Sequence, residues 1–398
     1  MSFSQGITGL TAAAANLDVI GNNIANAATV GFKSGSVAFK DVIAGSKIGL
    51  GVAMAGVEQN FAAGSVQLTS RPLDLAITNG DGFFRVSSSD GSDVAYTRNG
   101  QFSVDKDGYV VNTSGMCLTG RAVNGAGALQ GGTPTPLRFP TQSMPPNATT
   151  AVAAQFNFDS RNPSLNPASF NATDSSTYTY SNAYNVFDSL GNPHEMALYF
   201  IKTANDAWSV QATADGAAMT GSANLAFDVN GAIQAPTNLA LTFNYNNGSA
   251  PGAISVDLKG STQFGNTSAV QRLKQDGYTS GNLNSYEVGA NGIITGTYSN
   301  DQKNVLGQVI LSSFPSPNGL EAIGNNAWAE TGASGQPLTG DPGPGTTLGA
   351  LTAGALEGSN VDLTTQLVDL ITAQRTYQAN AQTLKTQDQV TQTLVNMR

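Results

Sequence analysis

A single cysteine and a single histidine stand among 398 residues. Disulfide scaffolds, thiolate zinc sites and histidine-rich metal clusters each need several such ligands on one centre, so all three are excluded. Charge is scarce as well: Asp, Glu, Lys and Arg make up 11% of the chain, against roughly 25% in an ordinary soluble domain. With 18 Lys and Arg against 27 Asp and Glu the formal net charge is −9, which removes the basic footprint that DNA, RNA or an anionic membrane would demand. No run approaches the roughly 18 to 20 apolar residues of a membrane span, so no membrane insertion is expected. No basic region precedes the alanine-rich stretch Thr11 to Leu17, so a cleavable secretory signal is not expected either. A chain of this kind that leaves the cell needs another export route.

Glycine and proline, 45 and 16 residues, are unevenly spread. From Ser359 to Arg398 there is neither, where the chain average would place about six, and this predicts a long helix. Its large apolar residues step by four and three through Leu363, Leu367, Leu370, Tyr377 and Leu384, with Leu394 and Met397 near the end, the seam of a coiled coil or bundle. Ser359 with Asp362 is expected to cap it. The amino terminus mirrors the pattern: Ile7, Leu10, Ala14, Leu17, Gly21 and Ile24 again alternate three and four, from about Ser4 to Ala27, with Ser2 and Gln5 at capping-box spacing. Gly6, Gly9 and Gly21 each cost about 1 kcal/mol relative to Ala inside a helix, so this helix needs a partner. Leu10, Leu17, Ile24, Leu363, Leu367, Leu370, Leu384 and Leu394 are the expected packing and self-assembly residues.

Between the ends the period becomes two. Phe102 and Val104; Met196, Leu198 and Phe200; Leu225, Phe227 and Val229; Leu239, Leu241, Phe243 and Tyr245; and Ile254, Val256 and Leu258 alternate with polar or small residues, as half-buried antiparallel strands do. Turn pairs such as Asp107-Gly108, Asn230-Gly231 and Asn291-Gly292 punctuate them. The expected fold is mainly β with helical termini: two nested antiparallel β domains plus a stalk of paired N- and C-terminal α-helices. The expected divisions are 1–30 with 359–398 for the helices, 31–70 with 348–358 as a connecting segment, 71–145 with 276–347 as a first β domain, and 146–275 as an inserted outer one.

Candidate chemistry is sparse. His194 follows Asn192-Pro193 and precedes Glu195, but a zincin would need a second His four residues on, where Leu198 stands. A surface turn before a strand is the expected setting. Asp105-Lys106-Asp107-Gly108 lacks the spacing and bidentate Glu of a calcium loop and reads as a hairpin turn. Cys117, between Met116 and Leu118, has no activating neighbour and reads as a small strand residue. No phosphate-cradling loop is present. The expectation is a protein that is not an enzyme and takes no cofactor or metal.

Asn16-Leu17-Asp18-Val19-Ile20-Gly21-Asn22-Asn23-Ile24-Ala25-Asn26, continuing to Gly31-Phe32-Lys33-Ser34, resembles the amino-terminal signature of the bacterial flagellar rod and hook proteins. Gly354-Ala355-Leu356-Glu357-Gly358-Ser359-Asn360-Val361-Asp362-Leu363, followed by Ala373-Gln374-Arg375-Thr376-Tyr377-Gln378-Ala379-Asn380-Ala381-Gln382, resembles the matching carboxy-terminal one. Asn79-Gly80-Asp81-Gly82-Phe83-Phe84 with Tyr96-Thr97-Arg98-Asn99-Gly100-Gln101-Phe102 is similar to the first β domain of that family. The inserted region from about Pro146 to Gln275 and the stretch Val186 to His194 resemble its hook members, since distal rod members are much shorter. The resemblance implies a homopolymer: a curved tube enclosing an export channel and acting as a universal joint between rod and filament. It also implies export through the flagellar type III apparatus, assembly beneath a hook cap protein, and contacts with distal rod and hook-filament junction proteins. A distal rod-type protein, or an adhesin-like β protein with an oligomerising helical stalk, are the alternatives.

Overall fold

The computed structural model describes residues 3–43, 49–124, 127–234 and 236–396. They form two compact units, one of Met1–Thr141, Ser285–Thr297 and Lys303–Arg398, the other of Gln142–Asn284 and Tyr298–Gln302. The fold is mainly β, with the two terminal helices packed on each other in the first unit.

Helix α1 spans Phe3–Ala25 and helix α2 spans Leu363–Asn396. Ser2, expected to cap α1, lies outside the described residues, as do Met397 and the side chain of Leu394. Helix α2 starts later than the Ser359 cap would have it. Asp362 is the capping residue, its carboxylate accepting from the Thr364 backbone N–H at 2.9 Å and the Thr365 hydroxyl at 3.1 Å. The four residues before Leu363 stay out of the helix, and among them Asn360 spends its side chain on tertiary bonds. A two-stranded hairpin follows α1: β1 (Gly35–Ile43) pairs antiparallel with β2 (Gly49–Gln59).

The rest of the first unit is a sheet that takes strands from both halves of the sequence. Lys303–Val309 joins Cys117–Arg121, which joins Phe83–Ser87, then Ala95–Thr97 and Ala327–Ala329. Short antiparallel ladders, Leu75–Thr78 with Ala350–Ala353 and Val66–Leu68 with Ala355–Glu357, return the chain towards α2. Asp105 closes the turn between Phe102–Val104 and Val110–Asn112, accepting from the Asp107 and Tyr109 backbones, and Cys117 is a buried strand residue.

The second unit holds two five-stranded sheets. Phe156, Phe158, Phe200, Trp208, Leu239 and Val256 alternate inwards from both into one core. Two expectations change here. Gly252–Asp257 pairs antiparallel with Asn238–Phe243 but parallel with the start of Ala151–Asp159, so that sheet is mixed. Val229 sits in a turn and is 97% exposed, because the strand Ala223–Ala226 ends before it and the Asp228 carboxylate folds the backbone back through Asn230 and Ala232.

Candidate functional site: the helical pair and its base

Helices α1 and α2 run antiparallel. A methyl group added to Gly6 would touch Leu384, one on Gly9 would press on Asn380 at 3.1 Å, and at the other end Asn23 Nδ2 donates to Gln366 Oε1 at 2.9 Å. The contact line on α1 is therefore Gly6, Gly9, Ala13, Ile20 and Asn23, again three-four spacing, displaced by one residue from the line of large apolar residues. On α2 the buried member is Ala373. Small residues let the backbones approach closely, which makes two of the helix glycines contact residues as well as helix breakers.

The large apolar residues lie beside or outside this line. Leu10, Leu17, Ile24, Leu370 and Leu384 are half-buried, with Leu384 against Gly6. Leu363 and Leu367 are 48% and 49% exposed, and Ile7, Val368 and Ile371 are exposed beside them. The hairpin packs along α1, with Gln5 Nε2 donating to the Gly49 carbonyl and Gly35 against Val19, and its strands present Phe39, Met54 and Val57 to solvent. Between α1, α2 and the hairpin lies a cleft of about 510 Å³ walled by Ala12, Ala13, Ile20, Phe39, Val52 and Ala373. One chain thus carries three elements with unpartnered apolar side chains.

The base of the pair is tied by an ionic node. Glu357 Oε1 accepts from Lys33 Nζ at 2.6 Å and from the Gly64 backbone N–H at 2.9 Å, while Oε2 accepts from Arg98 Nη1 at 3.3 Å. All three charged side chains are 0–1% exposed. Lys33 also donates to the Ala62 carbonyl, and the Arg98 guanidinium lies 4.9 Å from the centre of the Phe83 ring. Burial pushes the pKa of both Lys33 and Arg98 down, and the charge and hydrogen bonding of Glu357 oppose it.

Asn360 and Asn23 flank the node. Asn360 Oδ1 accepts from the Ser34 backbone N–H at 2.8 Å, and its Nδ2 donates to the Asn60 carbonyl at 2.7 Å. Asn23 accepts from the Gly35 N–H and donates to the Gly35 carbonyl. The signature stretches around Asn23 to Ser34, around Arg98 and around Glu357 to Asn360 therefore converge on one buried junction. Periodicity could not find it, because its members are isolated polar residues spread along the chain, Lys33 and Glu357 being 324 positions apart; the signal available was a rare charge inside each signature.

The second unit corrects the expectation for His194. It is 9% exposed and lies in the strand Pro193–Ala204. Its Nδ1 is 2.6 Å from Asp215 Oδ2, its Nε2 is 3.3 Å from Asp188 Oδ2, and its ring stacks on Tyr245. Asp188 also accepts from the side chains of Asn192 and Asn247. Burial pushes the Asp188 carboxyl up, but these hydrogen bonds outweigh it and hold it well below the usual carboxylate range. The ring is drawn in by two carboxylates, Asp188 six residues before it, which the sequence offers as a partner, and Asp215, which only the fold brings there. Among the described residues no group of three or more His, Cys, Asp and Glu is placed to hold a metal, and no helix is long and apolar enough to cross a membrane.

Four family models match. They are described as flagella basal body rod protein over residues 5–33, flagellar hook protein FlgE/F/G D1 domain over 76–152, flagellar basal body protein FlaE D2 domain over 157–278, and flagellar basal body rod FlgEFG protein C-terminal over 352–397. The chain is 46% identical to the flagellar hook protein FlgE of Salmonella typhimurium and 45% identical to that of Escherichia coli, each over 100% of both chains. It is 33% identical to the flagellar hook protein FlgE of Borreliella burgdorferi, over 100% of this chain and 99% of that one. The crystal structure of the Helicobacter pylori flagellar hook protein FlgE2 shares the fold, with a TM-score of 0.53 at 13% identity, covering 74% of this chain and 99% of that one.

Proposed function

The chain belongs to the flagellar hook protein family, and from that premise we propose that it polymerises through the apolar side chains its terminal helices leave exposed. It is a structural subunit of the flagellar hook, not an enzyme. The observation that carries the assembly reading is on α2: Leu363, Leu367, Val368 and Ile371 stand exposed in the single chain. Burying a side chain of this size contributes about 1.5–3 kcal/mol, and a second copy of the same chain is the partner that a homopolymer supplies.

The layered reading follows. Residues 1–30 with 359–398 line the inner tube around the export channel, 31–70 with 348–358 connect it outwards, and 71–145 with 276–347 and then 146–275 form successive outer layers. Polar outer contacts exchange with water at little net cost, which lets neighbours slide as the tube bends and carries torque from rod to filament. The partners are further copies, the hook cap protein at the growing tip, the distal rod and hook-filament junction proteins at the two ends, and the type III apparatus that exports the chain.

Electron microscopy of the purified full chain at high concentration in a precipitating salt tests this. Open-ended tubes are expected; closed, countable oligomers would contradict it.

A further inference from the structure

We propose that the last turns of α2, Asp388–Asn396, are an interaction surface that seats on the base of the helical pair of a second copy, against its Leu363, Leu367, Val368 and Ile371. The inference rests on the assembly reading above and deepens it by naming what covers that exposed base.

The two helices differ in length, 23 residues against 34, and their register places the whole difference at one end. Asn23 meets Gln366, Gly9 meets Asn380 and Gly6 meets Leu384. Each step towards the start of α1 is a step towards the end of α2, so Ala25 stands beside the first turn of α2 and Phe3 beside Thr386 or Gln387. At the base the helices end together. At the tip Asp388–Asn396 run on past Phe3 by about 14 Å, at the helical rise of about 1.5 Å per residue. Every described side chain on that extension is exposed. So short a helical stretch is marginal in water when nothing packs on it, and its partner has to come from outside the chain's own fold.

Exposed apolar side chains gather at the two ends of the pair. Phe3, Ile7, Val390 and Val395 are exposed at the tip, and Leu363, Leu367, Val368 and Ile371 at the base. Between them, among the described residues of both helices, Tyr377 is the single large apolar side chain that is exposed, and Gln374, Arg375 and Gln378 face solvent around it. Side-by-side packing along that middle stretch would bury polar groups, whereas end-to-end stacking covers both apolar ends at once.

An open polymer asks for such a pair of ends. Identical patches that meet across a two-fold axis close into a dimer and stop. Growth without closure needs two different surfaces on every copy, each fitting the other. Tip and base differ, both are apolar, and they lie at opposite ends of one helix, so each added copy presents a fresh surface to the next.

The test reads which parts of two copies touch in the polymer. Thr364→Cys and Gln392→Cys, both at exposed positions on α2, are combined in a Cys117→Ala background. Within one chain the two lie on the same helix about 42 Å apart, so a short bismaleimide joins them only between copies. Tubes of the doubly substituted chain are expected to give a ladder of covalent multimers on a denaturing gel, and each singly substituted chain nothing larger than a dimer. Tubes without a ladder overturn the proposal. A chain ending at Gln387 is expected to keep the native melting midpoint and to need an at least about tenfold higher concentration to polymerise. Tubes from that shortened chain at the native concentration overturn the proposal, whether or not the cysteine pair assembles. Closed oligomers from the native chain would count against the assembly reading instead; the contact of tip with base is then read from the same cross-link in those oligomers, where its absence overturns it.

Discussion

Glu357 accepts a 2.6 Å hydrogen bond from Lys33, 324 positions earlier in the chain, with both side chains shut away from solvent. That pair closes the chain on itself: everything between the two residues, including the whole second unit, is an excursion from one junction at the foot of the helices. Removing one partner of such a buried pair typically costs about 3–5 kcal/mol, because the other charge is left unpaired. The junction is therefore a place where the first unit is sensitive to a single polar substitution.

Leu367→Asp is expected to abolish polymerisation and leave the soluble chain folded. Leu367 is 49% exposed, and surface substitutions of this kind usually stay within about 0.5 kcal/mol. Sedimentation of polymer beside the thermal melt of the monomer checks both halves, and normal tubes from the variant would contradict the assembly reading.

Phe158→Ala is expected to destabilise the second unit by about 3–5 kcal/mol. The ring is fully buried, with Phe200 at 4.7 Å, Trp208 at 5.0 Å and Phe227 at 5.8 Å between centres. Calorimetry should show the unfolding transition of the second unit moving down in temperature, while helix signals in far-ultraviolet circular dichroism keep their native midpoint.

Acid should weaken the second unit through Asp188. Its carboxyl is held below the usual carboxylate range in the folded chain, whereas an unfolded Asp titrates near about 3.9. The folded state thus binds the proton less readily, so the stabilisation is present in full above the unfolded value and is lost as pH falls through the folded one. Asp188→Asn should lower the melting temperature at neutral pH, and the gap to the native chain should narrow as pH drops below about 4. A gap independent of pH would contradict this.

Cys117 should resist thiol reagents. It is 2% exposed, and burial followed by the nearby Asp105 charge pushes its pKa up, so less thiolate is present at any given pH. Labelling kinetics with an aromatic disulfide should show a slow reaction in the folded chain and a fast one in denaturant. Rapid labelling under native conditions would place the Cys117 strand elsewhere.

Much of the fold was legible because its signals are local. The absence of Gly and Pro after Ser359 and the alternation of Met196, Leu198 and Phe200 each follow from one element's own backbone and burial, and both elements are present. The contact line between the helices was harder to see. Hydropathy weights Leu10 and Leu17, but close approach is made by Gly6, Gly9 and Ala13, residues that a hydrophobic stripe passes over. His194 was read by its neighbours in sequence, Glu195 and Asp188; Asp188 does reach its ring, while Asp215 and Tyr245 are brought there across strand and loop. The node was present in three motifs as Lys33, Arg98 and Glu357, and only the folded chain brings them together.

A helical reconstruction of the polymer formed by the native full chain, at a resolution that shows side chains, tests the assembly claim most directly. Leu363, Leu367, Val368 and Ile371 are predicted to be buried against a neighbouring copy near the axis of the tube. Finding those side chains facing solvent or the open channel, with neighbours touching only through the β units, would contradict it.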